Sequence, residues 1–174
     1  MTKFLRITCL AASVAATVLT SAPAVAAPVG AATPATARAR IVRPLVLSAV
    51  RNLDFGTITL GTVAVGGETV SMTQAGVVTC GSGGLTCSGT PVSATYNVQG
   101  TNNQTVQIFA VASPLTNAND GTTLSFSPNA PATVGLTNSG SPGNNFNVGG
   151  SITILPATTD GVYSGNIAVT VDYQ

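Results

Sequence analysis

An all-β fold of the immunoglobulin-like β-sandwich class is what this sequence predicts, and three observations carry the prediction. Between Gly161 and Gln174, residues Tyr163, Gly165, Ile167, Val169, Val171 and Tyr173 fall on one side of an extended strand. Ser164, Asn166, Thr170 and Asp172 fall on the other, with Ala168 neutral between them. Such period-two alternation marks a strand with one face in a core. Short runs rich in β-branched residues then recur along the chain between turn signals, and no window shows a helical period. That spacing is typical of a two-sheet sandwich.

The elements follow in order. Lys3 and Arg6 precede an apolar run from about Ile7 to Leu19, and Ala24-Val25-Ala26 offers a small-x-small cleavage site. Residues 1–26 are therefore expected to be an export signal, with the mature chain starting at Ala27. The apolar run is too short, and too rich in Ala, Ser and Thr, to span a bilayer. No later stretch could do so, and no transmembrane anchor is expected in the mature chain. Residues 27–43 read as a flexible N-terminal extension, and 44–174 as the sandwich domain. From Ala35 the odd positions are Ala35, Ala37, Ala39 and Ile41, then Leu45, Leu47 and Ala49, interrupted by Arg43 and Pro44. The proline confines this segment to an edge or a break.

Phe55, Ile58 and Leu60 mark the next strand, and Val63, Val65, Val70 and Met72 a pair of strands around Gly66-Gly67. Val92, Ala94, Tyr96 and Val98 alternate with Ser93, Thr95, Asn97 and Gln99. A turn at Gly100-Thr101-Asn102-Asn103 leads to Val106, Ile108 and Ala110. Asn119-Asp120-Gly121 is a hairpin signal before Leu124 and Phe126. Val134 and Leu136 follow, then Phe146 and Val148. Gly149-Gly150 comes next, followed by Ile152 and Ile154. The last strand, opened by Asp160-Gly161, is expected to be built into the sheet.

Cys80 and Cys87 are the two cysteines beyond the signal, and they flank the loop Gly-Ser-Gly-Gly-Leu-Thr. Zinc would need two further ligands, and the chain has no histidine. A structural disulfide is expected, contributing roughly 2–3 kcal/mol for so small a ring.

Charge is scarce and segregated. After the signal the cations are Arg38, Arg40, Arg43 and Arg51, whereas Asp54, Glu68, Asp120, Asp160 and Asp172 are the acids. The N-terminal segment is thus suited to an acidic partner surface, such as another copy of the same body. Four arginines are too few for a nucleic-acid footprint, and no nucleic acid is expected as a partner.

Chemistry is sparse as well. Without histidine, no Ser-His-Asp or Cys-His arrangement can form within the chain. The acids sit mostly beside turns rather than opposed across a cleft. Asp54 is expected to bond locally at the start of its strand. Asn117-Ala118-Asn119-Asp120-Gly121 has part of a calcium loop but lacks its bidentate acid and its spacing. No catalytic residue, metal or cofactor is expected, and the protein is read as a non-enzyme.

Two features carry a resemblance. Gly161 stands fourteen from the C-terminus and Tyr173 second from last, joined by the alternating strand. In this the chain resembles chaperone–usher pilins. Residues 45–61 contain Leu53, Phe55 and Gly56 in a Leu-x-Phe-Gly pattern, which resembles the opening of archaic-type pilins and spore-coat-U-like proteins. The whole layout is similar to an uncharacterised secreted bacterial family, domain of unknown function 4402. There a start like Pro44, Leu45, Leu47, Leu53, Phe55 and Gly56 is paired with a finish like Gly161, Tyr163, Ser164, Gly165, Val171 and Tyr173. The likeness spans about residues 40–174.

The pilin resemblance implies a sandwich lacking its final strand. A periplasmic chaperone would complete it during export, an outer-membrane usher would receive it, and a neighbouring subunit would later replace the chaperone. This is β-strand addition, in which backbone hydrogen bonds give affinity and alternate side chains give specificity. It implies an assembly strand carrying Gly161, Tyr163, Gly165, Ile167, Val169, Val171 and Tyr173. The donor segment would carry Ala35, Ala37, Ala39 and Ile41 together with Arg38, Arg40 and Arg43. The function expected is a non-catalytic structural subunit of a surface fibre or pilus-like assembly, acting with copies of itself or related subunits. It would pass through the periplasm to the cell surface or exterior. The alternatives are a self-contained secreted envelope or matrix sandwich and a glycan-binding adhesin domain.

Overall fold

The computed structural model describes residues 26–174. The export signal expected over 1–26 lies outside the described residues but for Ala26. Residues 26–39 contain no helix or strand, and Arg40–Gln174 fold as a separate compact unit. Among the described residues no helix is long and apolar enough to cross a membrane.

The unit is all-β, as the sequence predicts. Its first strands are β1 (Val46–Arg51), β2 (Thr57–Leu60), β3 (Glu68–Met72), β4 (Val78–Thr79), β5 (Leu85–Ser88) and β6 (Ala94–Gln99). There follow β7 (Thr105–Val111), β8 (Ser113–Asn117), β9 (Thr123–Asn129) and β10 (Thr133–Gly135). The last are β11 (Asn144–Ile154), β12 (Tyr163–Ser164) and β13 (Ala168–Tyr173). The large sheet runs β1-β6-β11-β9-β8-β12, with β3 also on β11 and β4 on β3. A second sheet runs β10-β7-β13, and β2-β5 form a two-stranded ribbon. Ile152 pairs with both Val70 and Phe126, so β3 and β9 occupy opposite edges of β11.

Side chains from these layers meet in two cores. Ala94, Val98, Phe146 and Val148 of the large sheet pack with Val106 and Ile108 of β7 and with Leu136. Val70, Met72, Leu124, Phe126, Ile152 and Ile154 pack with Phe55 and with Leu85 of the ribbon. Leu53 and Ile167 touch both cores and join them. The arrangement is sandwich-like, sheet facing sheet over alternating inward residues.

Two expected elements differ, and β11 runs unbroken through Gly149-Gly150. A Cβ on Gly149 would strike the Met72 and Thr73 backbone, and one on Gly150 would enter the Phe126 ring. The glycines admit close approach rather than a turn. Val63 and Val65 belong to no strand, and Val65 stands exposed in the loop before β3. The strand expected from Gly161 to Tyr173 is two strands, β12 and β13, in two different sheets. The chain crosses between them at Gly165-Asn166-Ile167, where a Cβ on Gly165 would lie 2.5 Å from the Pro114 carbonyl oxygen.

The disulfide forms as expected, with Cys80 and Cys87 sulfurs 2.07 Å apart and their Cα atoms separated by 5.9 Å. Its ring folds over Glu68, a buried carboxylate that accepts the Gly84 N–H at 2.9 and 3.2 Å. Gly81 and Gly84 leave no room for a Cβ beside that carboxylate, which explains the glycines in the loop.

Candidate functional site: an open sheet edge

Strand β13 lies at the edge of its sheet and pairs only with β7 among the described residues. Its side chains alternate, with Ala168, Thr170 and Asp172 exposed and Val169, Val171 and Tyr173 half-buried against the second core. The backbone alternates too. Gln174 donates its N–H to the Thr105 carbonyl at 3.0 Å, so every second residue from there points its backbone at β7. Val169, Val171 and Tyr173 therefore point theirs away from β7. Ile108, opposite Val171, obeys the same rule by donating in the other direction, to the Ala132 carbonyl at 2.9 Å.

Val169 and Val171 thus combine an outward-aimed backbone with an inward-aimed side chain. Natural sheet edges are blunted by lysine, proline or bulges, and β13 has none of these. The one partial block is Asp172, whose Oδ1 accepts the Tyr173 N–H at 2.8 Å.

Strand β1 is the matching edge of the large sheet, and Leu45 and Leu47 pack against the same core as Val169, Val171 and Tyr173. That edge is blunted. The register slips between Ala49 and Arg51, leaving Val50 unpaired in a bulge, and Pro44 precedes the strand. Of the two edges, β13 is the one suited to accept another strand.

The start of this unit is tied to the same place. The Tyr173 hydroxyl donates to the Arg43 carbonyl at 2.6 Å and accepts the Thr101 N–H at 2.8 Å. Arg43 N–H donates to the Thr101 hydroxyl at 2.7 Å, and Arg40 Nη1 to the Gln174 carbonyl at 3.5 Å. Gly100 makes room for this latch, since a Cβ there would meet the Tyr173 hydroxyl at 2.5 Å. Arg40 and Arg43, expected in a free donor segment, are therefore bonded to the body at its root. Ile41 between them is exposed. Ala35, Ala37, Arg38 and Ala39 lie in the strandless residues 26–39.

The other residues of the expected assembly strand are placed elsewhere. Gly161 precedes β12 with φ 144°, and a Cβ there would lie 2.5 Å from Asn117 Oδ1. Tyr163 pairs with Asn117 on β8, and Ile167 bridges the two cores. Only Val169, Val171 and Tyr173 line the open edge. Tyr96 is linked to the start of β13 by donating to the Ile167 carbonyl at 3.3 Å, and its burial pushes the phenol above its usual range.

A second polar cluster surrounds the β8–β9 hairpin. Asp120 Oδ1 accepts from the Thr122 N–H at 2.9 Å and from the Thr122 hydroxyl at 2.7 Å. Its Oδ2 accepts from the Thr159 hydroxyl at 2.7 Å. These bonds, led by Thr159, hold the Asp120 carboxyl below the usual carboxylate range. The neighbouring Thr122 and Thr159 hydroxyls likewise lower the Tyr163 phenol. The segment Asn117–Gly121 is the expected hairpin turn, closed by Gly121 N–H on the Asn117 carbonyl at 3.0 Å. Asp54 bonds locally too, accepting the Gly56 N–H at 2.8 Å. Among the described residues no group of three His, Cys, Asp or Glu side chains is placed to hold a metal.

The Asp120 cluster has a pH signature. A lowered folded pKa means that the ionised carboxylate adds stability above the unfolded value and loses it as pH falls through the folded one. The melting-temperature gap between wild type and Asp120→Asn is expected to be constant at neutral pH and to shrink below about pH 4. Thermal melts across pH check this, and a gap unchanged down to about pH 2 contradicts it.

Sequence reasoning missed the Tyr173 latch, Gly100 and the buried Glu68. Gly100 was legible only as a turn residue. Glu68, the one glutamate of the chain, faces a glycine-rich ring, and that pairing was a usable signal.

No curated protein and no solved structure matches the chain. Residues 45–173, from just before β1 through the open edge of β13, match the family described as Domain of unknown function (DUF4402), and the chain belongs to that family.

Proposed function

We propose that the protein is a non-catalytic structural subunit of an exported, pilus-like surface assembly, joined to its neighbours by β-strand addition along β13. The observation that carries this reading is the pairing-ready edge at Val169 and Val171, whose backbone faces outward beside half-buried side chains. A strand laid there satisfies the free N–H and C=O groups and covers apolar surface at once. A periplasmic chaperone and an outer-membrane usher are the partners such an edge needs before assembly, because an uncovered edge aggregates. The likeness to pilins in the Gly161 and Tyr173 positions supports the same reading.

The test compares the exported protein with and without residues 27–43 by size exclusion and electron microscopy. The intact chain should form larger species and the shortened chain should not. Identical, stable monomers in both cases contradict the proposal.

A second reading is a self-contained envelope or matrix sandwich. It is favoured by the Tyr173–Arg43 latch and the Asp172 cap, which partly close this flank. Reversible two-state unfolding of a monomer, with no chaperone, is what it requires.

A further inference from the structure

We propose that the β2–β5 ribbon is a redox-gated strap over the first core, locked by the Cys80–Cys87 disulfide and lifted when a dithiol reduces it. The buried carboxylate of Glu68 pushes the strap toward the lifted state. The strap covers the first core, whereas strand addition concerns the second, so the two readings stand or fall separately.

Connectivity comes first. β2 and β5 pair with each other and with neither sheet. Phe55 and Leu85 are buried in the first core, with Ile58 and Cys87 packed against it. The ribbon is thus the layer that covers Val70, Met72 and Phe126. One of its ends is closed where Asp54 and Val92 exchange N–H···O bonds at 2.8 Å. The other end is clasped to the large sheet by two links. Cys80, just after β4, holds Cys87 of β5, and Glu68, the first residue of β3, accepts the Gly84 N–H.

Reach makes the disulfide the lock. It keeps the two Cα atoms 5.9 Å apart, at a sequence separation of 7. Without it that length of chain could extend to about 23–25 Å. Gly81, Gly83 and Gly84 on one tether and Gly66 and Gly67 on the other keep both connections pliant. Cys80 and Cys87 are only partly buried, so a small dithiol can reach them.

Glu68 supplies the push. Its side chain is 6% exposed, and among the described residues only the Gly84 N–H donates to it. An ionised carboxylate can accept about four hydrogen bonds. No cation follows Arg51 in the chain, and Arg51 is spent on the Ser93 carbonyl at 3.0 Å. Lifting the strap lets water reach the carboxylate, so its burial opposes closure.

Reduction proceeds by thiol–disulfide exchange. A thiolate of the dithiol attacks one sulfur to give a mixed disulfide, and its second thiol then displaces the cysteine. The dithiol leaves as a cyclic disulfide, and Cys80 and Cys87 each gain one electron and one proton. The strap is therefore locked in oxidising surroundings and free in reducing ones.

The experiment measures residue-resolved amide hydrogen exchange of the full chain, as dilute monomer, before and after treatment with dithiothreitol. Gly84 and the hydrogen-bonded amides of β2 and β5 should exchange faster after reduction, on the order of tenfold, with β6 and β7 unchanged. Reoxidation should restore the original rates. Unchanged rates in the ribbon overturn the proposal. So does equal acceleration throughout the fold, which is what a disulfide that merely stabilises the whole domain would give. Rates that stay fast after reoxidation overturn the reversible gate. Glu68→Gln keeps an acceptor for Gly84 and removes the charge. Ribbon exchange in its reduced form should be slower than in reduced wild type, on the order of threefold. Equal rates in the two reduced proteins overturn the push assigned to Glu68.

Discussion

Replacing Phe126 by alanine is expected to remove about 3–5 kcal/mol of folding stability. The ring is 1% exposed and meets Phe55 edge-to-face at a centroid distance of 6.3 Å and an interplanar angle of 75°. Phe126 sits opposite Ile152, and Gly150 of β11 leaves the space that its ring occupies. Truncation therefore opens a cavity that the neighbouring strands can collapse into only in part. Domains of this size are typically stable by about 5–15 kcal/mol, so the variant should be near its unfolding limit. Phe126→Leu, which keeps more of the volume, should cost less. Urea denaturation measures both, and a loss below about 1 kcal/mol for the alanine variant contradicts this packing.

Val171→Pro is expected to leave the fold largely intact and to weaken self-association by about tenfold or more. The Val171 N–H points away from β7, so proline there removes no hydrogen bond of the existing ladder. It does remove a donor from the open edge and sets a ring where an incoming strand must lie. Thr170→Pro is the internal control. The Thr170 N–H faces β7, opposite Phe109, and its loss should destabilise the sheet itself. Thermal melting and sedimentation, run on both variants, separate the two effects. Equal destabilisation by the two prolines would mean that the backbone alternation along β13 is wrong.

Much of this fold was legible because particular residues left little choice. Cys80 and Cys87 had no other partners after the signal, and the disulfide followed. Ala94, Tyr96 and Val98 alternate with polar residues, and β6 lies there. Asn119-Asp120-Gly121 gives the β8–β9 hairpin.

Other features were hidden for physical reasons. Tyr163, Val169, Val171 and Tyr173 keep a single parity although the chain changes sheets between them. Both cores want an inward side chain at the same phase, and Ile167 serves both. Periodicity alone could not reveal that crossing. Gly149-Gly150 reads as a turn by composition, yet its role is set by Met72, Thr73 and Phe126, far off in sequence. The Tyr173 latch is a bond to the backbone of Arg43, and a backbone acceptor leaves no mark on residue type. The open edge was legible as a strand but not as an edge, because strand order depends on partners that sequence spacing does not specify.

The central claim is that Val169 and Val171 offer an unpaired backbone edge which an added strand covers. Residue-resolved amide hydrogen exchange, compared between dilute monomer and assembled protein, tests it most directly. In the monomer the Val169 and Val171 amides should exchange quickly, whereas Thr170 and Asp172, turned toward β7, should be protected. On assembly Val169 and Val171 should become protected while Thr170 and Asp172 stay as they were. Assembly that leaves Val169 and Val171 exchanging as in the monomer would contradict the account.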